Sequence, residues 1–405
     1  MADAPRVPTG HLDALDGLRT VAIALVVCSH VVAPTGMLGL DGLHWRMLNM
    51  GGVGVPIFFV LSGYLLYRPY ARATLDGTPA PNTRDFLFRR AMRILPAYWV
   101  MLPFAMVFFN RDVIGDVWLW LQLITLTHNF DLYPPWDLGD SGLPALGPIW
   151  SLSVEATFYV LLPLLAAALR RFSRGEPRRL LLGIGALFTL SLAEAIGVRF
   201  VEYTHGVFGI DPIELMFYNE RLLPRSFLLF AAGMALAVLA ERPTPLTTAI
   251  GASPALGWTI ALCGLALVST PLARPLADGA QTAPQYIAQT LLFLLIALAL
   301  VAPTALAPHH PLTTLLLSTP PMRALGRVSY GVFLWHIVVM DAWYALTGRD
   351  LFKLDFWLVL SVTLLFSLIL ATLSHTFLEH PAQQFARHHT RPPKLPVPEK
   401  SPTHP

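Results

Sequence analysis

Ten stretches of this chain are apolar enough to cross a hydrocarbon core of ~30 Å, and they constrain the fold before any motif is considered. Inside such a core every backbone N–H and C=O must be satisfied within the protein, so each stretch has to be a helix. They fall at about residues 16–34, 53–69, 94–109, 148–169, 180–200, 222–240, 254–271, 285–302, 328–346 and 356–378. Composition agrees: 55% of residues are hydrophobic and 13% charged, whereas a soluble domain carries roughly a quarter. The expected fold is an all-α integral membrane protein, with about ten transmembrane helices around a central polar cavity. Cys28 and Cys263 both lie inside apolar stretches, so neither a disulfide framework nor a metal site is indicated.

The region 113–147 is the ambiguous part. Residues 113–127 are apolar but short, and they hold Asp116 and Gln122. A full crossing there would invert everything after it. Basic residues decide the matter. With ten spans and a cytoplasmic N-terminus, 19 Lys and Arg fall on the inner side and 8 on the outer, and Arg19 caps the inner end of span one. That bias follows the positive-inside rule. An eleventh crossing would place Arg170, Arg171, Arg174, Arg178 and Arg179 outside, so 113–147 is expected to be a re-entrant or interfacial segment on the outer face. Tyr133 and Trp136 in its loop suit an interface. Residues 1–15 form a short cytoplasmic segment, 16–386 the transmembrane domain, and 387–405 a Pro-, His- and Arg-rich cytoplasmic tail expected to be disordered. The richness in Ala, Pro and Arg points to a high-GC bacterium, hence to its inner membrane. No cleavable signal peptide, internal repeat or second soluble domain is expected.

Four polar clusters interrupt the apolar background. Arg19 and His30 are eleven residues apart on span one, close to three helical turns, so they share a face roughly 16 Å apart in depth. Alone, a histidine in a span is as readily a helix–helix hydrogen bond. Arg84, Arg89, Arg90 and Arg93 lead into span three; Arg89 and Arg93 share a face while Arg90 points about 100° away. One or two such arginines would serve topology or lipid headgroups. Four within ten residues also suit a polyphosphate, since the guanidinium fork matches phosphate oxygens. On span four, Ser151, Glu155 and Tyr159 recur every four residues as a polar stripe, with Ser153 between them. On span nine, His336 sits within the apolar string following Ser329 and Tyr330. Ionisable groups at membrane depth are costly and face cavities. His30, Glu155 and His336 are therefore expected to meet at one level.

These clusters resemble the membrane-bound acyltransferase family 3, whose members modify sugars and lipids. The resemblance covers about residues 12–385 and rests on five strings in order: LDGLR (Leu15–Arg19) with His30; GVPIFFVLSGY (Gly54–Tyr64); FRRAMRILP (Phe88–Pro96); WSLSVE (Trp150–Glu155) with Phe158 and Tyr159; and SYGVFLWH (Ser329–His336). One departure follows Glu155: Ala156 and Thr157 stand where many members have an acidic residue and a glutamine. The resemblance implies an acyl-CoA donor, acetyl-CoA by default, entering from the cytoplasm, and an acceptor that is often extracytoplasmic. It matches Arg19 and His30 to the first-helix pair, Arg89, Arg90 and Arg93 to the basic motif, and Glu155 to the serine–glutamate motif. No fused esterase-like domain is expected.

The expected function is membrane O-acyl transfer. Arg19, Arg84, Arg89, Arg90 and Arg93 would bind the CoA phosphates. His30 would be general base, Glu155 would orient the acceptor or an imidazole from the outer side, and His336 would polarise the carbonyl or shuttle the proton. Ser151, Ser153 and Tyr159 would line the acceptor site. Acceptors suggested by the resemblance are an envelope glycolipid such as a trehalose mycolate, a cell-wall glycan or a macrolide-type metabolite. Membrane lipids are the expected surroundings, and neither a metal nor nucleic acid is expected. The competing reading is a proton-coupled transporter or flippase, because proton relays also use buried His and Glu.

Overall fold

The computed structural model describes residues 13–40, 42–131, 143–204, 221–274 and 281–390, and all regular structure among these is helical. In chain order the helices are α1 (Asp13–Val32), α2 (Leu43–Asn49), α3 (Gly54–Leu75), α4 (Thr83–Phe109), α5 (Val117–Thr125), α6 (Ile149–Ser173), α7 (Pro177–Thr204), α8 (Leu223–Glu241), α9 (Pro245–Gly251), α10 (Pro254–Val268), α11 (Ala283–Leu306), α12 (Pro311–Leu317), α13 (Pro320–Thr347), α14 (Phe356–Ser374) and α15 (His380–His389). Among the described residues eight helical stretches are long and apolar enough to cross a membrane. A ninth is counted if α9 and α10, bent 75° to each other, form one span. α13 is as long as any but more polar, with Arg323, Arg327, His336 and Asp341 along it. Against the expected ten, eight or nine candidate spans are therefore found among the described residues.

The central helices pack closely because small residues let backbones touch. A Cβ at Gly63 of α3 would strike the Phe230 carbonyl of α8, and one at Gly233 of α8 would strike the Val60 carbonyl of α3. The same holds between α1 and α13, where Gly326 lies against the Asp16 carbonyl. Thr20 of α1 also donates to the Met322 carbonyl at 2.7 Å. The α3–α8 pair is locked at its arginine-rich end by a buried ion cluster. Arg68 Nε donates to Glu241 Oε1 at 2.8 Å, and Arg72 donates to both Glu241 oxygens at 2.9 and 3.0 Å. Glu241 is fully buried, and three charge-assisted bonds offset the cost of removing it from water.

The ambiguous region does not cross. α5 has nine residues, about 13 Å of helix, less than half a bilayer core. Its last carbonyls, Leu123 and Ile124, accept from Tyr98 Oη (2.8 Å) and Trp99 Nε1 (3.1 Å) of α4. Those donors lie ten or eleven residues back from the end of α4, roughly 15 Å along it. α5 thus dips alongside α4 and turns back, as expected of a re-entrant segment. Tyr133 and Trp136 lie outside the described residues. The tail expected to be disordered from residue 387 begins inside α15, which continues to His389; residues 391–405 lie outside the described residues.

Candidate active site

α1, α3, α4, α6 and α13 surround one cavity of about 860 Å³ including its open mouth, and the ionisable residues on its wall are Arg19, Arg90, Arg93, Glu155, Tyr159 and Tyr330. Helical periodicity delivers them. Ser151, Glu155 and Tyr159 lie one turn apart on α6, and all three line the cavity as the stripe predicts. Glu155 Oε1 accepts from Tyr159 Oη at 2.7 Å and from Ser62 Oγ at 2.6 Å. Two hydroxyls thereby fix a carboxylate facing three guanidiniums.

Those guanidiniums differ in their partners. Arg19 donates to the buried Asp16. Among the described residues no carboxylate pairs with Arg90 or Arg93. Arg90 instead lies over the Phe86 ring at 5.9 Å, a cation–π contact, and its Nε is buried without a partner. Counting Asp16 and Glu155 as ionised, the wall keeps a net positive charge. A buried, uncompensated cation costs several kcal/mol, roughly, so this wall favours an anion.

His30 and His336 form a second group. His30 Nδ1 is 2.9 Å from His336 Nε2, with the rings stacked at 5.0 Å between centroids. His336 Nδ1 lies 2.8 Å from the Phe333 carbonyl and 3.2 Å from that of Val332. Carbonyls only accept, so His336 Nδ1 carries a proton. In a neutral ring its Nε2 then bears a lone pair, and His30 Nδ1–H must donate to it. The chain of bonds leaves His30 Nε2 unprotonated, which is the form a base requires. His336 is 1% exposed while His30 is only partly buried, so of the two His30 is the ring a substrate can meet.

The two groups occupy different depths, which corrects the expectation of a single level. Arg19 and Glu155 share the cavity wall, and His30 lies eleven residues further along α1, roughly 16 Å away. The residues lining the cavity do not include His30 or His336. Phe333 belongs to both groups: it lines the cavity, its ring is 6.2 Å from that of His336, and its carbonyl holds the His336 proton. Glu155 is therefore placed with the arginines, not with the histidines. Ser153 also departs from expectation. Its hydroxyl donates to the Leu126 carbonyl, on the side of α6 away from the cavity. Arg84 is exposed at the start of α4, and neither it nor Arg89 is on the cavity wall. Ser62 and Phe333 were not singled out in the sequence. Ser62 is the only hydroxyl-bearing residue in Gly54–Gly63, a signal that was available.

An all-helical membrane fold with a basic, glutamate-containing cavity and a linked histidine pair fits a membrane enzyme handling an anionic substrate. Residues 12–375 match the family model of the acyltransferase domain, family 3, and the chain belongs to that family. Among curated proteins it is 28% identical over 391 residues to a putative peptidoglycan O-acetyltransferase of Bacillus subtilis, covering 92% of this chain and 55% of that protein. It is 25% identical over 399 residues to a peptidoglycan O-acetyltransferase of Listeria monocytogenes (95% and 58%). It is 26% identical over 393 residues to an O-acetyltransferase of Staphylococcus aureus (92% and 57%). The chain thus spans a little over half the length of these relatives. No solved structure matches.

Proposed function

We propose that this protein is a membrane O-acetyltransferase that takes an acetyl group from acetyl-CoA at its arginine-rich, cytoplasmic end. It delivers the group to a hydroxyl of a cell-envelope glycan on the other side. Both termini are then cytoplasmic and the membrane is the bacterial inner membrane. The observation that carries this reading is the pair of unpaired arginines, Arg90 and Arg93, in one cavity with Arg19. Together they provide several guanidinium donors for the phosphates of CoA. The names of the relatives favour a peptidoglycan-type acceptor over a trehalose mycolate or a macrolide.

The two depths then have separate tasks. The phosphates lie against Arg19, Arg90 and Arg93, with Arg84 and Arg89 nearer the entrance. The pantetheine arm extends past Phe333 and carries the thioester the roughly 16 Å that separates Arg19 from His30 on α1. Glu155, fixed by Ser62 and Tyr159, accepts N–H groups of the arm and orients the neighbouring guanidiniums. This replaces its expected place beside the acceptor. His30 Nε2 removes the proton from the acceptor hydroxyl as its oxygen attacks the thioester carbonyl. The carbon–sulfur bond breaks, and the CoA thiolate recovers a proton from the imidazolium. A general base of this kind contributes about 10²–10⁴ in rate. His336 acts as a positioning residue: it fixes the His30 tautomer and shares the charge of the imidazolium.

The test is purified protein in liposomes with labelled acetyl-CoA and the disaccharide of N-acetylglucosamine and N-acetylmuramic acid. Label esterified to the sugar is expected. Proton-dependent uptake of the sugar with no acetyl transfer would overturn the proposal in favour of a transporter.

A further inference from the structure

We infer that the turn closing the re-entrant helix α5 is a binding subsite for a hydroxyl-rich ligand of the chemical class of a sugar ring. The turn is extensively tied down. Thr127 N–H donates to the Gln122 carbonyl at 2.9 Å, and Gln122 Nε2 donates to Asp131 at 2.6 Å. Asn129 Nδ2 donates to the carbonyls of Trp150 (2.8 Å) and Arg221 (2.7 Å), and Ser153 holds the Leu126 carbonyl. Leu126 itself sits at φ 58°, a left-handed conformation that a side chain such as leucine seldom adopts.

Within this bonded turn three polar atoms have no partner among the described residues: both ring nitrogens of His128 and Oε1 of Gln122. Their residues are 6% and 5% exposed, so bulk solvent does not reach them. Native proteins leave few such atoms, and each calls for a reason. At His128 a reason based on stability is weak, because an apolar residue of similar shape would remove both unmet nitrogens at no loss, whereas Gln122 also holds Asp131. The unmet set is chemically specific. Burial and the nearby Arg221 push the His128 ring down to about 3, so it is neutral at physiological pH. A neutral imidazole offers one donor and one acceptor, and Gln122 Oε1 adds a second acceptor. Hydroxyls, which both donate and accept, match that mixture. A phosphate, which needs donors only, does not.

The position suits an acceptor. Trp150 and Ser153, which fasten the turn, belong to the same stretch of α6 as Ser151 and Leu152, which line the cavity. The turn lies beside the middle of α4, where Tyr98 and Trp99 bond the Leu123 and Ile124 carbonyls. This inference rests on the proposed acetyl transfer and adds the place where the acceptor sugar is held.

The test uses His128→Phe and Gln122→Leu in the full-length protein in liposomes, with acetyl-CoA and the same disaccharide as probes. Expected are an unchanged or higher melting temperature for His128→Phe, a modestly lower one for Gln122→Leu, which loses its bond to Asp131, and for both an unchanged acetyl-CoA affinity and a KM for the disaccharide raised about tenfold or more. An unchanged KM would overturn the subsite and assign the atoms to trapped water or empty packing. Unfolding of both variants would overturn it too, since the atoms would then be structural. Wild-type protein that transfers no acetyl would defeat the acyltransferase reading itself. Normal transfer by the His128→Phe protein would defeat only the subsite.

Discussion

Two sets of arginines enter this protein from the same end and meet opposite fates. Arg68 and Arg72 of α3 close on the fully buried Glu241 of α8 through three hydrogen bonds. Arg90 and Arg93 of α4 line a cavity, and no carboxylate pairs with them among the described residues. In the sequence the two sets look alike, since both satisfy the positive-inside rule. The difference shows that topology alone does not account for the second set. A cation matched by a buried carboxylate is structural; half-buried cations left unmatched on a cavity wall are what the proposed donor site requires.

The largest effect that would break this comparison concerns the structural set. Replacing Glu241 with alanine strands two guanidiniums and should cost about 3–5 kcal/mol of stability. It should appear as a lower melting temperature in detergent, with acetyl-CoA affinity per folded molecule unchanged. Arg90→Gln and Arg93→Gln should do the reverse. Melting temperature should hold or rise, while each change weakens acetyl-CoA binding by roughly tenfold to a hundredfold, the worth of a charged hydrogen bond at about 1.5–3 kcal/mol. Titration calorimetry reads both quantities, and a Glu241→Ala protein that loses acetyl-CoA affinity while fully folded would erase the distinction. The smallest effect belongs to the exposed Arg84. Arg84→Gln should alter stability by less than about 0.5 kcal/mol and affinity by less than about twofold, because an exposed charge is screened.

Much of this arrangement was legible in the sequence. Apolar length fixed the helices, and arginine placement excluded an eleventh crossing at α5. The four-residue spacing of Ser151, Glu155 and Tyr159 gave their common face. The eleven-residue spacing of Arg19 and His30 gave their separation. What the sequence concealed was depth across different helices. Position along one helix says how far a residue is from that helix's end, but not how far its neighbours have slid. Gly54 packs against the Ala22 carbonyl and Gly326 against that of Asp16; these contacts set the registers of α3 and α13 on α1, which bring His336 to His30 and carry Ser62 to where it holds Glu155. Pairing was hidden as well. Nothing in the spacing of Arg68 and Glu241, 173 residues apart, distinguishes them from Arg93, for which no carboxylate partner is found among the described residues. Nor does spacing reveal that the hydroxyl of Ser153 turns to Leu126 instead of the cavity.

The account separates donor binding at the arginines from proton removal at His30, roughly 16 Å further along α1. The most direct test is acetyl transfer by His30→Ala protein whose acetyl-CoA affinity is measured in the same preparation. Normal affinity and a transfer rate lowered about 10²–10⁴-fold are expected if His30 is the base. Transfer at the wild-type rate, in protein that binds acetyl-CoA normally, would contradict it.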